Sequence, residues 1–252
     1  KLLSMDIIKH MKSIRENGQK ALAVLVDPDK LDKKRLEALI LACKNSPISY
    51  IFYGGSLVQE KQANEFIKEL KQNIDVPVVI FPGHPLQVYP NADAILLLSL
   101  VSGRNPEFLI GHHVVAAPHL KKSGLEIIPT AYILIDGGVP TSASYMSNTT
   151  PIPRDKPDIA ACTAMAGNML GLGIVYMDAG SGAEKPIDTK MISKVKSNID
   201  GPLIIGGGIK NKEQLIQACK AGGDIIVVGN AFESEPELIK EFAELIQSQI
   251  KT

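Results

Sequence analysis

The stretch Ala21-Leu22-Ala23-Val24-Leu25-Val26-Asp27-Pro28-Asp29-Lys30 decides the fold. Six apolar residues end abruptly in Asp-Pro-Asp, which reads as a short strand buried on both faces. Strands of that kind belong to parallel sheets covered by helices. A doubly wound open sheet would place a glycine-rich phosphate fingerprint directly after this first strand. Here the strand runs into Asp27-Pro28-Asp29, and the glycine clusters come late in the chain. Late glycine loops are the phosphate sites of a (β/α)8 barrel.

Seven more apolar runs follow, at residues 50–53, 77–81, 94–99, 127–135, 174–177, 203–205 and 225–228, each bounded by Gly, Pro or Asp. Segments of helical period lie between most of them, at 33–44, 57–73, 189–197, 212–221 and 236–248, with a further helix expected at 5–15. Eight strands alternating with helices in 252 residues predict a modified (β/α)8 TIM barrel, a single α/β domain over residues 1–252. Two connections depart from the pattern. Pro82-Gly83-His84-Pro85-Leu86 leads to the fourth strand through a segment too short for a helix. Residues 137–154, rich in Gly, Pro, Ser and Thr, read as a long loop without regular structure, of the kind used for lids, binding or subunit contacts. The uncharged stretch 159–177 reads as a helix end, a glycine turn and a buried strand rather than a membrane span.

Composition narrows the function. Hydrophobic residues make up 45% of the chain and charged residues 21%, which excludes intrinsic disorder. Lys plus Arg and Asp plus Glu each number 27, so no basic excess points to nucleic acid, and no polybasic cluster points to a membrane surface. Cys43, Cys162 and Cys219 have no metal-type spacing and an odd count, which predicts three reduced, mostly buried thiols in a cytoplasmic protein. Residues 1–18 are amphipathic and charged, so no signal peptide is expected.

The strongest chemical signal is Tyr176-Met177-Asp178-Ala179-Gly180-Ser181-Gly182. Strand alternation puts Tyr176 and Asp178 on one face and Met177 on the other. Asp178 then stands at the carboxyl end of the sixth strand, where barrel chemistry is done. The small-residue turn after it lets backbone N–H groups approach an anion. Gly206-Gly207-Gly208-Ile209 and Gly229-Asn230 follow the seventh and eighth strands and fit the same phosphate. Asp27 shares the face of Ala23 and Leu25, so its carboxylate is a hard oxygen ligand at the same rim, suited to Mg²⁺. Ser56, in Tyr53-Gly54-Gly55-Ser56, adds a hydroxyl oxygen. Asp29 is the expected cap of the helix at 33–44, which leaves Asp27 free. His84 sits at the active end of the third strand, whereas His112, His113 and His119 read as packing or surface residues of a helical region. A phosphate half and a cation half on one mouth suggest two phosphorylated substrates, one of them carried with Mg²⁺.

These motifs, Val26-Asp27-Pro28-Asp29-Lys30, Tyr53-Gly54-Gly55-Ser56, Tyr176 to Gly182, Gly206-Gly207-Gly208-Ile209 and Gly229-Asn230, resemble the geranylgeranylglyceryl phosphate synthase family and its bacterial heptaprenylglyceryl relatives. The resemblance runs from about residue 6 to residue 232. It implies a prenyltransferase that alkylates sn-glycerol 1-phosphate with a long-chain prenyl diphosphate. It places Mg²⁺ on Asp27 and Ser56. Glycerol phosphate falls on Tyr176, Met177, Asp178, Ala179, Gly180, Ser181 and Gly182, with Gly207, Gly208, Gly229 and Asn230 beyond them. Asp178 and Tyr176 become the catalytic pair, with Asp178 one methylene shorter than the Glu of many relatives. The prenyl groove runs past Phe81, His84 and Tyr132. A homo-oligomer with transient access to a membrane surface is the expected form. The competing readings are another phosphate-binding barrel enzyme (isomerase, aldolase or flavin type) and a non-catalytic barrel that binds phosphorylated metabolites.

Overall fold

The computed structural model describes residues 6–55 and 62–248. The eight strands are β1 (Ala21–Val26), β2 (Tyr50–Tyr53), β3 (Val78–Ile80), β4 (Ala94–Leu100), β5 (Glu126–Leu134), β6 (Ile174–Asp178), β7 (Leu203–Gly206) and β8 (Ile225–Val228). Each pairs in parallel with the next, and β8 pairs with β1 to close the barrel. The expected strands lie within one residue of these bounds. The helices are α1 (Ile7–Glu16), α2 (Lys33–Lys44), α3 (Ala63–Asn73), α4 (His112–Ser123), α5 (Ser142–Ser147), α6 (Pro157–Met169), α7 (Thr189–Lys196), α8 (Lys212–Lys220), α9 (Asn230–Ser234) and α10 (Leu238–Ser248). The expected helix at 57–73 begins outside the described residues and is seen from Ala63 onward. Among the described residues no helix is long and apolar enough to cross a membrane.

Strand alternation divides the core into two layers. Ala23, Phe52, Val79, Leu96, Ile128, Tyr176 and Ile204 fill the barrel, while Val24, Ile51, Val78, Ile133, Met177 and Ile205 point out to the helices. The near-continuous apolar strands follow from this, since both faces are buried. Helix α1 plugs the amino-terminal end, where Ile7, Met11 and Ile14 join the barrel interior. Its first amides donate to the Glu126 carboxylate, Ile7 and Ile8 each at 2.8 Å, an anion held at a helix N-terminus. Arg15 ties its other end to the Ile199 and Gly201 carbonyls.

Three expectations need correction. Residues 137–154 do carry regular structure. Thr141 and Ser144 form a reciprocal capping box that nucleates α5, and Asn148 ends it in a left-handed turn at φ 49°. Ile152 then bridges Ile135 beside β5. Helix α2 is capped by Asp32, which accepts from the Arg35 amide at 2.8 Å, and not by Asp29. Asp27 caps the single 3-10 turn at Pro28–Lys30 by accepting from the Asp29 amide at 3.1 Å, so it is not wholly free. The thiols are free and mostly buried, as expected: Cys43 and Cys219 are buried and Cys162 is exposed. Burial pushes Cys43 up to about 12 and Cys219 to about 11, so neither is a thiolate near neutrality.

The connection from β3 to β4 lacks a helix, as expected. Gln87 organises it instead, its Oε1 accepting from the Gly83 amide at 2.7 Å and the His84 amide at 3.3 Å.

At the plugged end, buried Asp224 accepts from the Leu203 amide at 2.8 Å and from Lys196 Nζ at 2.6 and 2.5 Å. Asp224→Ala strands a half-buried ammonium and a strand amide, and is expected to cost about 3 kcal/mol of stability. Urea denaturation checks this, and a change under about 1 kcal/mol would show the pair to be solvent-compensated.

Candidate functional site

The parallel closure sends all eight carboxyl ends to one rim, and there a single cavity of about 300 Å³ opens. Asp27 and Gly55 from the first two strands line it, together with Asp178, Gly180, Gly208 and Asn230 from the last three. The two halves inferred from the sequence therefore share one space. Tyr176, Ser181, Gly182, Gly207 and Gly229 also face it, as do Phe81, His84 and Tyr132. Met177 and Ala179 do not line it. Both side chains are packed in the outer core, because alternation turns Met177 outward and the Ala179 amide bonds the Gly206 carbonyl at 3.0 Å. Ser56 lies outside the described residues.

The phosphate half is built by packing one glycine loop on another. Gly207 has φ +80°, and a Cβ there would meet the Gly180 nitrogen at 2.7 Å and Asp178 Oδ1 at 2.8 Å. Only glycine allows both that backbone and that approach. Ser181 Oγ donates to Asn230 Oδ1 at 3.4 Å, linking the β6 loop to the start of α9. The amides of Gly182, Gly207 and Gly208 have no acceptor among the described residues and edge the same cavity. Such a nest of N–H groups is suited to a phosphate.

Asp178 is the buried charge beside this nest, 7% exposed. Its Oδ2 accepts from Tyr132 Oη at 2.6 Å and its Oδ1 from the Gly180 amide at 2.7 Å. Burial raises its pKa above the usual carboxylate range, while those two hydrogen bonds pull it back. Tyr132 and Tyr176 are pushed far above the ordinary phenol value by burial and by the neighbouring carboxylate. Both are therefore neutral hydrogen-bond donors. Phe81 stacks on Tyr176 with centroids 5.3 Å apart, and Tyr132 meets Tyr176 edge-on at 5.4 Å.

On the opposite side, Asp27 Oδ2 lies 3.7 Å from Lys30 Nζ, which is paired at 2.8 Å with Glu233. No group of three or more His, Cys, Asp or Glu residues able to cage a metal occurs among the described residues. One partly exposed carboxylate fits Mg²⁺ nonetheless, since that ion keeps several waters and takes substrate phosphate oxygens alongside one or two protein ligands.

The third part of the cavity is apolar. With no helix after β3, the outer face of β4 is open on one side, and the space runs past Phe81 and Pro85 between Ile95 and Leu97 of β4 and Ala116 and Leu120 of α4. His112 and His113 line it too, contrary to their expected packing or surface role, because α4 turns that face inward. His113 Nε2 lies 3.1 Å from Ser99 Oγ, and burial lowers the pKa of both rings, keeping them neutral. His119 is exposed. Lys30, Lys210 and Glu233 also reach the cavity. None of the three is among the site residues expected from the sequence, although Lys30 ends the Val26–Lys30 motif and Lys210 directly follows Ile209.

Comparison with known proteins identifies the family. The PcrB family model matches residues 12–246. A geranylgeranylglyceryl phosphate synthase of Chitinophaga pinensis is 56% identical over 234 residues, 93% of each chain. Another from Pyrococcus furiosus is 43% identical over 212 residues, 84% of each chain. The crystal structure of (S)-3-O-geranylgeranylglyceryl phosphate synthase from Thermoplasma acidophilum in complex with sn-glycerol-1-phosphate superposes with a TM-score of 0.91 at 30% identity, covering 98% of this chain and all of that one. Tryptophan synthase α-subunit from Pyrococcus furiosus, at 14% identity and a TM-score of 0.55, shares the barrel fold alone. The chain thus belongs to the PcrB family of prenyltransferases, with the geranylgeranylglyceryl phosphate synthases as its relatives.

Proposed function

We propose that this enzyme transfers a long prenyl group from its diphosphate to the free hydroxyl of sn-glycerol 1-phosphate, giving an ether and diphosphate. The observation that carries the reading is the shared cavity, where a phosphate nest and a buried carboxylate adjoin an apolar arm and an acidic rim. The nest of Gly180–Gly182, Gly207–Gly208 and Gly229–Asn230 holds the glycerol phosphate with its hydroxyl toward Asp178. Tyr176 closes the wall beside it. The allylic C–O bond breaks with its electron pair leaving on diphosphate, and the glycerol oxygen forms the new C–O bond. Asp178 takes the hydroxyl proton. Phe81 and Tyr132 present aromatic surface at the junction of the polar and apolar parts and exclude water from the reacting carbon. Asp27, with Ser56, would hold Mg²⁺, which when bound supplies positive charge to the leaving diphosphate.

The tail occupies the arm between β4 and α4. A homo-oligomer and a transient membrane-surface visit complete the reading. Ile110, just before α4, and Val114 and Val115 on it stand exposed and supply apolar surface for such contacts.

Incubation with sn-glycerol 1-phosphate, Mg²⁺ and prenyl diphosphates of graded length tests the activity. Asp178→Ala is expected to lower kcat by about 10²-fold or more while changing the KM for glycerol phosphate far less. Equal turnover would remove Asp178 from the chemistry. Asp27→Asn should raise the Mg²⁺ concentration needed for half-maximal rate, and an unchanged metal titration refutes that ligand. Ala116→Trp fills the arm and should abolish turnover of the longest diphosphates before the shorter ones. Uniform loss across lengths would place the tail elsewhere.

A further inference from the structure

We propose that Tyr132 is a positioning residue for the proton acceptor, its phenol holding the Asp178 carboxylate in place. This rests on the glycerol-phosphate reading of the same site. The sequence assigns Tyr132 to the prenyl wall, but the structure aims its hydroxyl at Asp178. The two residues lie 46 positions apart and on adjacent strands, with Tyr132 in register with Tyr176 and Leu134 with Asp178. The 2.6 Å separation is that of a hydroxyl donating to a charged oxygen.

The carboxylate is gripped from two sides, by Tyr132 on Oδ2 and by the Gly180 amide on Oδ1. Each oxygen keeps a second lone pair for a substrate hydroxyl. Tyr132 is itself fixed edge-on to Phe81 at 5.8 Å and to Tyr176 at 5.4 Å, and it is 8% exposed. A rigid phenol of this kind sets both the direction and the proton affinity of its partner. Through the reaction Tyr132 keeps its own proton. The glycerol hydroxyl proton passes to Asp178, the glycerol oxygen bonds to the allylic carbon, and diphosphate leaves with the electron pair.

Other charged groups reach the cavity. Lys30, Asp27 and Glu233 come from the first and eighth strand ends, and Lys210 follows β7. His84 follows β3, and His112 and His113 come from α4. None of these bonds Asp178, whose partners are Tyr132 and Gly180. Burial pushes the Asp178 pKa up, and the Tyr132 bond opposes that push. Its removal therefore raises the pKa further, and activity that needs the ionised carboxylate fails at higher pH.

Tyr132→Phe tests the proposal because it keeps the ring and deletes only the hydroxyl. With sn-glycerol 1-phosphate, a prenyl diphosphate and Mg²⁺, kcat should fall about tenfold and the acid limb of the kcat profile should move up by about one pH unit. The KM for prenyl diphosphate should stay within about twofold. On an Asp178→Ala background the same substitution should cost nothing more, since Tyr132 acts through Asp178. An unmoved acid limb, a loss that multiplies in the double variant, or a raised KM with kcat intact would each overturn it in favour of a groove wall. Carbon NMR titration of the Asp178 carboxyl in wild type and Tyr132→Phe reads the same shift without turnover. It separates failure of this proposal from failure of the reaction assigned above.

Discussion

Everything at the active rim depends on one constraint, the parallel closure of β8 onto β1. A closed parallel ladder has no edges and a single carboxyl face. Residues as far apart as Asp27 and Asn230 are thereby delivered to one cavity by backbone hydrogen bonding alone. The plugged end carries the opposite character. Helix α1, the Glu126 carboxylate at its N-terminus and the Asp224–Lys196 pair lock that face, so the rim is free to carry loops chosen for chemistry instead of cohesion.

The rim divides its labour by polarity. In the reaction proposed above, backbone amides serve the phosphate, where many weak donors in fixed places suit a diffuse anion. In the same proposal a single buried carboxylate serves the proton, where one tuned group is enough. The boundary between them and the apolar arm is the aromatic cluster of Phe81, Tyr132 and Tyr176, whose rings face lipid-like surface while the Tyr132 hydroxyl turns to Asp178.

Most of the barrel was legible because strands buried on both faces and glycine loops at their ends are local patterns. Val26-Asp27 and Met177-Asp178 each mark a strand's active end by a change from apolar to acidic within two residues. What was hidden is non-local. The capping box of α5 uses Ser144 where the recognised pattern has Glu or Gln, so it passed as loop. The inward turn of His112 and His113 follows from the space left beside β4, which no spacing within α4 reveals. The Tyr132–Asp178 bond joins two strands through side chains whose partnership depends on register, and register is written in the pairing of β5 with β6 rather than in either strand.

The missing helix after β3 has a consequence for how this barrel holds together. Beside Ile95 and Leu97 the outer face of β4 is bounded by α4 and the cavity, with no helix of the β3–β4 connection to cover it. On the function proposed above, an isoprenoid lodged there would stand in for missing secondary structure, completing a hydrophobic layer that the polypeptide leaves unfinished. On that reading the guest molecule would be part of the architecture, and the empty and loaded enzymes would differ in cohesion as well as in content.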